Sequence, residues 1–364
     1  MDCDAVVVGA GLTGSSAAWQ LAARGLKVTL VEARGIGHDK GSSHGTSRIY
    51  RRAYADPDYI ELTGQAEELW DELEDRSGQL LRTRTGGLDH GAERDPETLT
   101  ALMKQQGVAA ELLRPEDAQE RFPGMVFTGP VMFHPDAGHL DADRTVRAGV
   151  DLAASLGAVV LEHTPVIRVE QTPYGVLVHT EDRSFSARHV VVAAGPWLPE
   201  LLPSVGISPR MPRTWATQQQ VFHFRHRDPL AAWPVMVYKE GIQLFGLPSG
   251  ADGGPAPVMK VAQHDGGTPT TASGRDGRIN PASRDIVTSW VSRQLPGLDP
   301  EPVAEGSCLY TMTADEDFVI DRLGFVIVAS PCSGHGAKFA PLIGSLVADL
   351  VQGATAHPRF AFRD

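Results

Sequence analysis

Cysteine is scarce in this sequence: three in 364 residues, at Cys3, Cys308 and Cys332. Three scattered thiols cannot build a disulfide framework or a zinc cluster. Long apolar runs are missing as well. No stretch reaches the roughly 18 residues that a membrane-crossing helix needs, so no membrane span is expected. Positive charge is in deficit, with 33 Lys+Arg against 45 Asp+Glu and a formal net charge of -12. Wrapping nucleic acid or lying on an anionic membrane requires a basic surface, and both are excluded as expectations. A local cationic pocket for one buried anion is not excluded. The start, Met1-Asp2-Cys3-Asp4, is acidic and runs straight into an apolar strand, which speaks against a secretory leader and points to the cytoplasm. Hydrophobic residues make up 42% and charged residues 21%, an ordinary globular composition. At about 150 residues per domain the length suggests two or three domains.

The first thirty-two residues carry the clearest chemistry. Asp4–Gly9 reads DAVVVG, a valine run without polar alternation, as in a parallel strand buried on both faces. Gly9-Ala10-Gly11-Leu12-Thr13-Gly14 follows, then a helical pattern over Ser15–Arg24 stopped by Gly25, then a second buried strand over Lys27–Val31 ending on Glu32. Gly9 permits the tight turn, Gly11 lets backbone approach a pyrophosphate, and Gly14 lets helix and strand pack closely. Free N–H groups at the helix start would hold phosphates. Glu32 can accept from ribose hydroxyls and would repel a 2′-phosphate, which disfavours NADP. The glycine spacing alone is a weak signal among 38 glycines; between two buried strands, with an acid at the right distance, it specifies a dinucleotide site. It does not separate FAD from NAD.

Further along, Tyr59–Arg76 is an amphipathic helix, Asp95-Pro96 fits an N-cap with Pro at the first helical position, and Asp143–Leu156 is a helix closed by Gly157. Buried strands are expected at Val190–Ala194 and Phe325–Ala329. Alternating segments at Gln219–Phe224, Val235–Lys239, Ile242–Leu247 and Val258–Ala262 read as an antiparallel sheet, and Pro281–Leu295 reads as a helix. Two loops rich in Gly, Pro and Asp, 248–257 and 265–277, lie among them.

Three blocks make the resemblance to a known family specific. They are Gly41-Ser42-Ser43-His44-Gly45-Thr46-Ser47-Arg48-Ile49-Tyr50-Arg51-Arg52-Ala53-Tyr54, Cys308-Leu309-Tyr310-Thr311-Met312-Thr313-Ala314-Asp315-Glu316, and Ser333-Gly334-His335-Gly336-Ala337-Lys338-Phe339. With the glycine turn they span nearly the whole chain. The sequence resembles the amine-oxidising flavoproteins related to monomeric sarcosine oxidase and N-methyltryptophan oxidase, within the D-amino-acid oxidase superfamily.

The resemblance implies an α/β fold: a Rossmann-like FAD-binding domain with a second α+β substrate domain built on an antiparallel sheet. The FAD-binding domain would be discontinuous, 1–85, 141–210 and 305–364, and the substrate domain would comprise 86–140 and 211–304. The cofactor implied is FAD, attached covalently through Cys308, with Gly9, Gly11, Gly14, Glu32, Ser43, Gly334, Gly336 and Lys338 contributing to its site. Arg48 and His44 are placed near the flavin. Lys260 corresponds to a lysine that promotes reaction with O2, and His264 to a pocket histidine. Arg51, with Lys338, corresponds to the pair that binds a substrate carboxylate; a planar guanidinium fork and a point charge suit that role. Tyr310 aligns with a pocket tyrosine near that carboxylate. Phe245 stands where sarcosine oxidase has tyrosine, and Ala337 where it has phenylalanine. Both changes alter the apolar character or volume of the pocket and leave sarcosine itself an open question. The loop ahead of Lys260 is longer than the family pattern. Arg52 reads as a solvated charge, and Cys3 and Cys332 as small buried hydrophobes.

The implied reaction is oxidation of a secondary or N-substituted amino acid to an imine, with O2 reduced to hydrogen peroxide, by a monomer acting on small molecules. Rival readings are an oxidase of a cyclic amine or imine intermediate, an oxidase of fructosyl amino acids, a dehydrogenase with a partner acceptor, and a flavin-binding protein without turnover.

Overall fold

The computed structural model describes residues 1–206 and 211–362. The expected join between the two parts, at 210/211, touches residues 207–210, which lie outside the described residues. One sheet of eight strands is built around five parallel ones, in spatial order Val159–Leu161, Val28–Val31, Cys3–Val8, Ser184–Val192 and Val326–Ser330. The valine runs are buried on both faces, as the lack of alternation requires. Ala5, Val7, Leu30, Val191 and Ile327 face helices Leu12–Ala23, Ala142–Ser155 and Ala340–Val351, which pack on one another. Val6, Val8, Val31, Val190 and Val328 face the other way, toward the hairpin Val166–Thr172/Gly175–Thr180.

A second sheet of nine strands draws on two separate stretches of chain. Its spatial order is Thr268–Thr270, Trp215–His226, Val258–Gln263, Gln243–Pro248, Val235–Lys239, Gly87–His90, Val131–His134 and Glu111–Leu113, with Leu298–Met312 also paired to Trp215–His226. It is antiparallel except where Val235–Lys239 runs parallel to Gly87–His90. Helix Pro281–Gln294 packs on it through Val287, Trp290 and Val291, against Phe222, Phe224 and Met236. A three-stranded sheet of Arg48–Tyr50, Gly138–Leu140 and Arg82–Arg84 completes the framework.

The expected helices form with their caps. Asp95 accepts from the Thr98 amide with Pro96 at the first helical position, and helix Pro57–Ser77 starts under Asp56. The strand Leu298–Met312 is absent from the sequence reading. It runs unbroken through the expected division at 304/305, so Cys308 and Tyr310 sit on a strand of the larger sheet, opposite Gln219 and Thr217.

Candidate active site

The glycine turn behaves as its mechanics demand. Gly9 has φ +97°, and a β-carbon there would lie 2.6 Å from the Ala193 carbonyl oxygen. A β-carbon on Gly14 would lie 1.7 Å from the Gly9 carbonyl oxygen, so only glycine lets the helix start this close to the strand. Gly11 faces Ser43, whose Oγ accepts from the Leu12 amide at 3.0 Å and would meet a Gly11 β-carbon at 2.8 Å. Glu32 is buried; its carboxylate accepts from the Ala10 amide at 2.8 Å and the Arg34 amide at 2.9 Å. Burial works against its charge, but His38 and those two amides hold the carboxyl below its usual range.

From this turn a single cavity of about 1110 Å³ is shared with the three sequence blocks. Gly9, Gly11, Glu32, Ser43, His44 and Arg48 line it, as do Lys260 and Cys308. So do Arg51, Phe245, His264, Tyr310, Gly334, Gly336 and Lys338. Gly14 is not part of the lining; it lies beneath the turn.

Arg48 organises one wall. Its guanidinium donates to three carbonyls of its own loop: His44 at 2.5 Å, Ser47 at 2.9 Å and Ser42 at 3.3 Å. His44 Nε2 is buried without a hydrogen-bond partner among the described residues. Burial, with the charges of Arg48, Arg275 and Lys260, pushes its imidazole down to about 4, so it is neutral at pH 7. Lys260, on strand Val258–Gln263, is 4% exposed; its Nζ lies 2.5 Å from Asp252 and donates to the Ser47 carbonyl at 3.2 Å. Burial pushes the Cys308 thiol up, whereas Arg48, Lys260 and Arg275 pull it back toward the thiolate.

The Ser333–Gly336 turn brings Gly334, His335 and Gly336 to the same cavity. Ser333 and Gly334 both have positive φ, and Ser333 donates its amide to the Thr311 carbonyl at 2.8 Å, which ties the turn to the strand that carries Tyr310. A β-carbon on Gly334 would lie 2.4 Å from the Tyr310 ring and 2.7 Å from the His264 ring, so glycine lets those rings converge. A β-carbon on Gly336 would lie 1.5 Å from the Pro331 carbonyl oxygen. Cys332, read as an inert hydrophobe, lines the same cavity, and its Sγ accepts from the Thr311 amide at 3.3 Å.

Arg51 and Lys338 meet at Tyr54. The Arg51 guanidinium stacks on the Tyr54 ring 4.8 Å from its centroid, and Lys338 Nζ donates to the Tyr54 hydroxyl at 3.0 Å and the His335 carbonyl at 2.7 Å. Among the described residues neither cation has a carboxylate within salt-bridge distance, and Arg51 Nη1 is buried without a hydrogen-bond partner. Burial lowers both, and each cation lowers the other or is lowered by a neighbour: Lys338 by Arg51, Arg51 by Arg94. Two desolvated cations of this kind are costly unless an anion joins them. Arg52, read as solvated, turns away from the cavity and braces helix Pro57–Ser77 through Glu67 and the Ile60 carbonyl.

No motif of the sequence assigns a role to Tyr54, His335, Asp252 or Arg275, although Tyr54 and His335 stand inside the family blocks. Asp252 and Arg275 sit in the Gly/Pro/Asp-rich loops, where no periodicity ties a charge to a partner. No group of three or more His, Cys, Asp or Glu among the described residues could hold a metal ion. No helix among them is long and apolar enough to cross a membrane.

A dinucleotide turn at one sheet, continuous with a cation-lined cavity against a second sheet, defines a two-part nucleotide-dependent oxidoreductase. The family model for FAD dependent oxidoreductases matches residues 4–350, and the chain belongs to that family. It is 33% identical over 375 residues to the monomeric sarcosine oxidase of Streptomyces avermitilis, covering 98% of this chain and 95% of that one. It is 30% identical over 364 residues to the N-methyl-L-tryptophan oxidase of Yersinia pestis, covering 97% and 95%. Among solved structures it is similar to NikD, described as an unusual amino acid oxidase essential for nikkomycin biosynthesis. The TM-score is 0.87, with 26% identity and coverage of 99% of this chain and 97% of that one. The chain is therefore an FAD-dependent enzyme of the amine-oxidising branch, as its resemblance implied.

Proposed function

We propose that this enzyme oxidises the C–N bond of a secondary or N-substituted amino acid to an imine, with O2 reduced to hydrogen peroxide. The observation that carries the reading is the pair Arg51, half-buried, and Lys338, buried, which line one cavity with Cys308 and Lys260 and have no carboxylate within salt-bridge distance among the described residues. A substrate carboxylate would complete them. The residues fit FAD. Gly9 and Gly11 offer backbone at the turn, Glu32 is held ionised for ribose hydroxyls, and Cys308 lies among three cations that partly offset the burial raising its thiol, on the way to the thiolate a covalent bond to the flavin requires. When bound, FAD supplies the two-electron acceptor for hydrogen leaving the carbon next to nitrogen, and the route for those electrons to O2.

The protein's own residues do the rest. Arg51 and Lys338 bind and orient the carboxylate, which fixes the amine relative to the cavity wall. Tyr310, His264 and Phe245 shape the space around it. His264 and His335 are pushed down by burial to about 4 and about 3, so neither adds charge at pH 7 to a site that already holds Arg51. Lys260 places a positive charge where oxygen acquires negative charge. In this reading segments 1–85, 141–210 and 305–364 form the FAD-binding domain and also lend Arg51, Tyr310 and Lys338 to the substrate, segments 86–140 and 211–304 form the substrate domain, and the enzyme works as a cytoplasmic monomer; the name of the Streptomyces relative supports the monomer.

Anaerobic addition of N-methyl and cyclic amino acids to the holoenzyme tests the reading. Bleaching of the flavin spectrum, followed by peroxide on admitting air, is expected for at least one of them. If none bleaches the flavin, the amine-oxidase reading fails.

A further inference from the structure

Lys260 is a buried lysine, and its surroundings are mostly cationic or titratable. Arg48 comes from strand Arg48–Tyr50, His44 from the loop before it and His139 from strand Gly138–Leu140. His223 lies directly across the sheet from Lys260 in register, and Cys308 comes from strand Leu298–Met312. The one carboxylate in contact with it, among the described residues, is Asp252 at 2.5 Å. Asp252 belongs to the glycine-rich loop that precedes the Lys260 strand, and that loop is built to reach inward. A β-carbon on Gly250 would lie 1.8 Å from Thr46 Oγ1, and one on Gly253 would lie 2.3 Å from a Val258 methyl. Thr46 then donates to Asp252 at 3.1 Å, so the carboxylate is held from two sides. Asp252 and the Ser47 carbonyl take two of the three N–H bonds of Lys260, and one remains for the cavity.

We propose that Asp252 is the positioning residue of the oxygen site: it keeps Lys260 an ammonium and points its remaining N–H into the cavity. The inference rests on the reading of Lys260 as the group that promotes reaction with O2. Two effects oppose one another at Lys260. Burial and the charge of Arg48 favour loss of its proton, while Asp252 favours keeping it. For its own part, Asp252 pays a burial penalty as a carboxylate, yet Lys260, His223 and Thr46 bring it down to about 2. It is therefore ionised throughout the working range. Without it the balance at Lys260 tips toward the neutral amine, which offers O2 no charge.

The test uses the flavin-loaded enzyme and Asp252→Asn, with Asp252→Ser as a second uncharged variant and Lys260→Met as the reference. Stopped-flow reoxidation of the reduced enzyme by O2 is followed from pH 6 to 10. Wild type is expected to hold its rate through neutral pH. The Asp252 variants should lose rate as pH rises through the neutral range, at least 10-fold, approaching Lys260→Met. A second readout does not depend on turnover. A lysine whose folded pKa is lowered takes up a proton on unfolding, so stability rises with pH in that window. The unfolding midpoint of Asp252→Asn should therefore climb from pH 7 to 9 relative to wild type, and the climb should vanish in Asp252→Asn/Lys260→Met. If Lys260→Met reoxidises as fast as wild type, the oxygen-site reading fails and takes this inference with it. If Lys260→Met is slow but the Asp252 variants keep a flat profile and a flat midpoint, the Asp252 inference alone is overturned.

Discussion

Lys338 donates to the hydroxyl of Tyr54 at 3.0 Å, joining two of the family blocks across 284 residues of chain. The same tyrosine ring carries Arg51 on its face. Both cations are thereby fixed before any substrate arrives, which spares the enzyme the cost of ordering two long side chains on binding. Lys338→Met and Arg51→Met should each raise KM for the amino acid by roughly 10- to 100-fold, the range for losing one hydrogen bond to a charged group. The change in kcat should be smaller. Steady-state kinetics would show it, and the carboxamide of the same substrate should be nearly indifferent to either variant.

Cys308 offers a chemical rather than a kinetic test. Arg48, Lys260 and Arg275 all act to stabilise its thiolate against burial. Acid precipitation of the wild-type holoenzyme should leave the flavin in the pellet, whereas Cys308→Ser should release it to the supernatant. Flavin freed from wild type would disprove the covalent bond. Arg275 donates to the Ser307 carbonyl at 2.6 Å, one residue away. Arg275→Ala should therefore slow covalent incorporation of flavin into apoprotein without abolishing it.

The glycine turn admits a steric prediction. A β-carbon on Gly14 would penetrate the Gly9 carbonyl, and neither backbone can yield without moving helix Leu12–Ala23 off its strand. Gly14→Ala should cost about 2–3 kcal/mol, in the range for overpacking, and lower the flavin content of purified protein. Gly129 has nothing within 4 Å of its hypothetical β-carbon and no positive φ, so Gly129→Ala should be neutral. Thermal melts and the ratio of flavin to protein absorbance would separate the two.

This turn was legible in the sequence because its determinants are local: three glycines, a valine run on each side and one acid. The Asp95 cap was legible for the same reason. The strand Leu298–Met312 was not, since Pro300, Pro302 and Gly306 break its sequence pattern and Asp299, Glu301 and Glu305 are polar and exposed. Its strand character comes from Trp215–His226, which pairs along its length. Asp252 was hidden for a related reason. Its partner is chosen by how a glycine-rich loop folds back on Thr46, and no residue spacing encodes that. The family blocks named the residues that share one cavity, but not the contacts among Arg51, Tyr54 and Lys338.

Acid sensitivity can be assigned to a particular buried imidazole. His90 is 5% exposed, packs between Phe127 and Tyr238, and has no hydrogen-bond partner for Nε2 among the described residues. It does not line the cavity, so flavin binding leaves its surroundings alone. Burial pushes its pKa down to about 4, against a weaker opposing pull from Asp89. The unfolded chain would protonate this group near 6.5, so between about pH 4 and 6.5 the unfolded state binds more protons than the folded one. Stability from this residue is therefore present above pH 6.5 and lost as pH falls toward 4. The loss should be about 2 kcal/mol by pH 5. His90→Leu keeps an apolar side chain and removes the titration. Its unfolding free energy should fall less between pH 7 and pH 5 than that of wild type, by about that amount, as measured by urea denaturation at each pH. An identical fall in both proteins would show that His90 takes up no proton on unfolding.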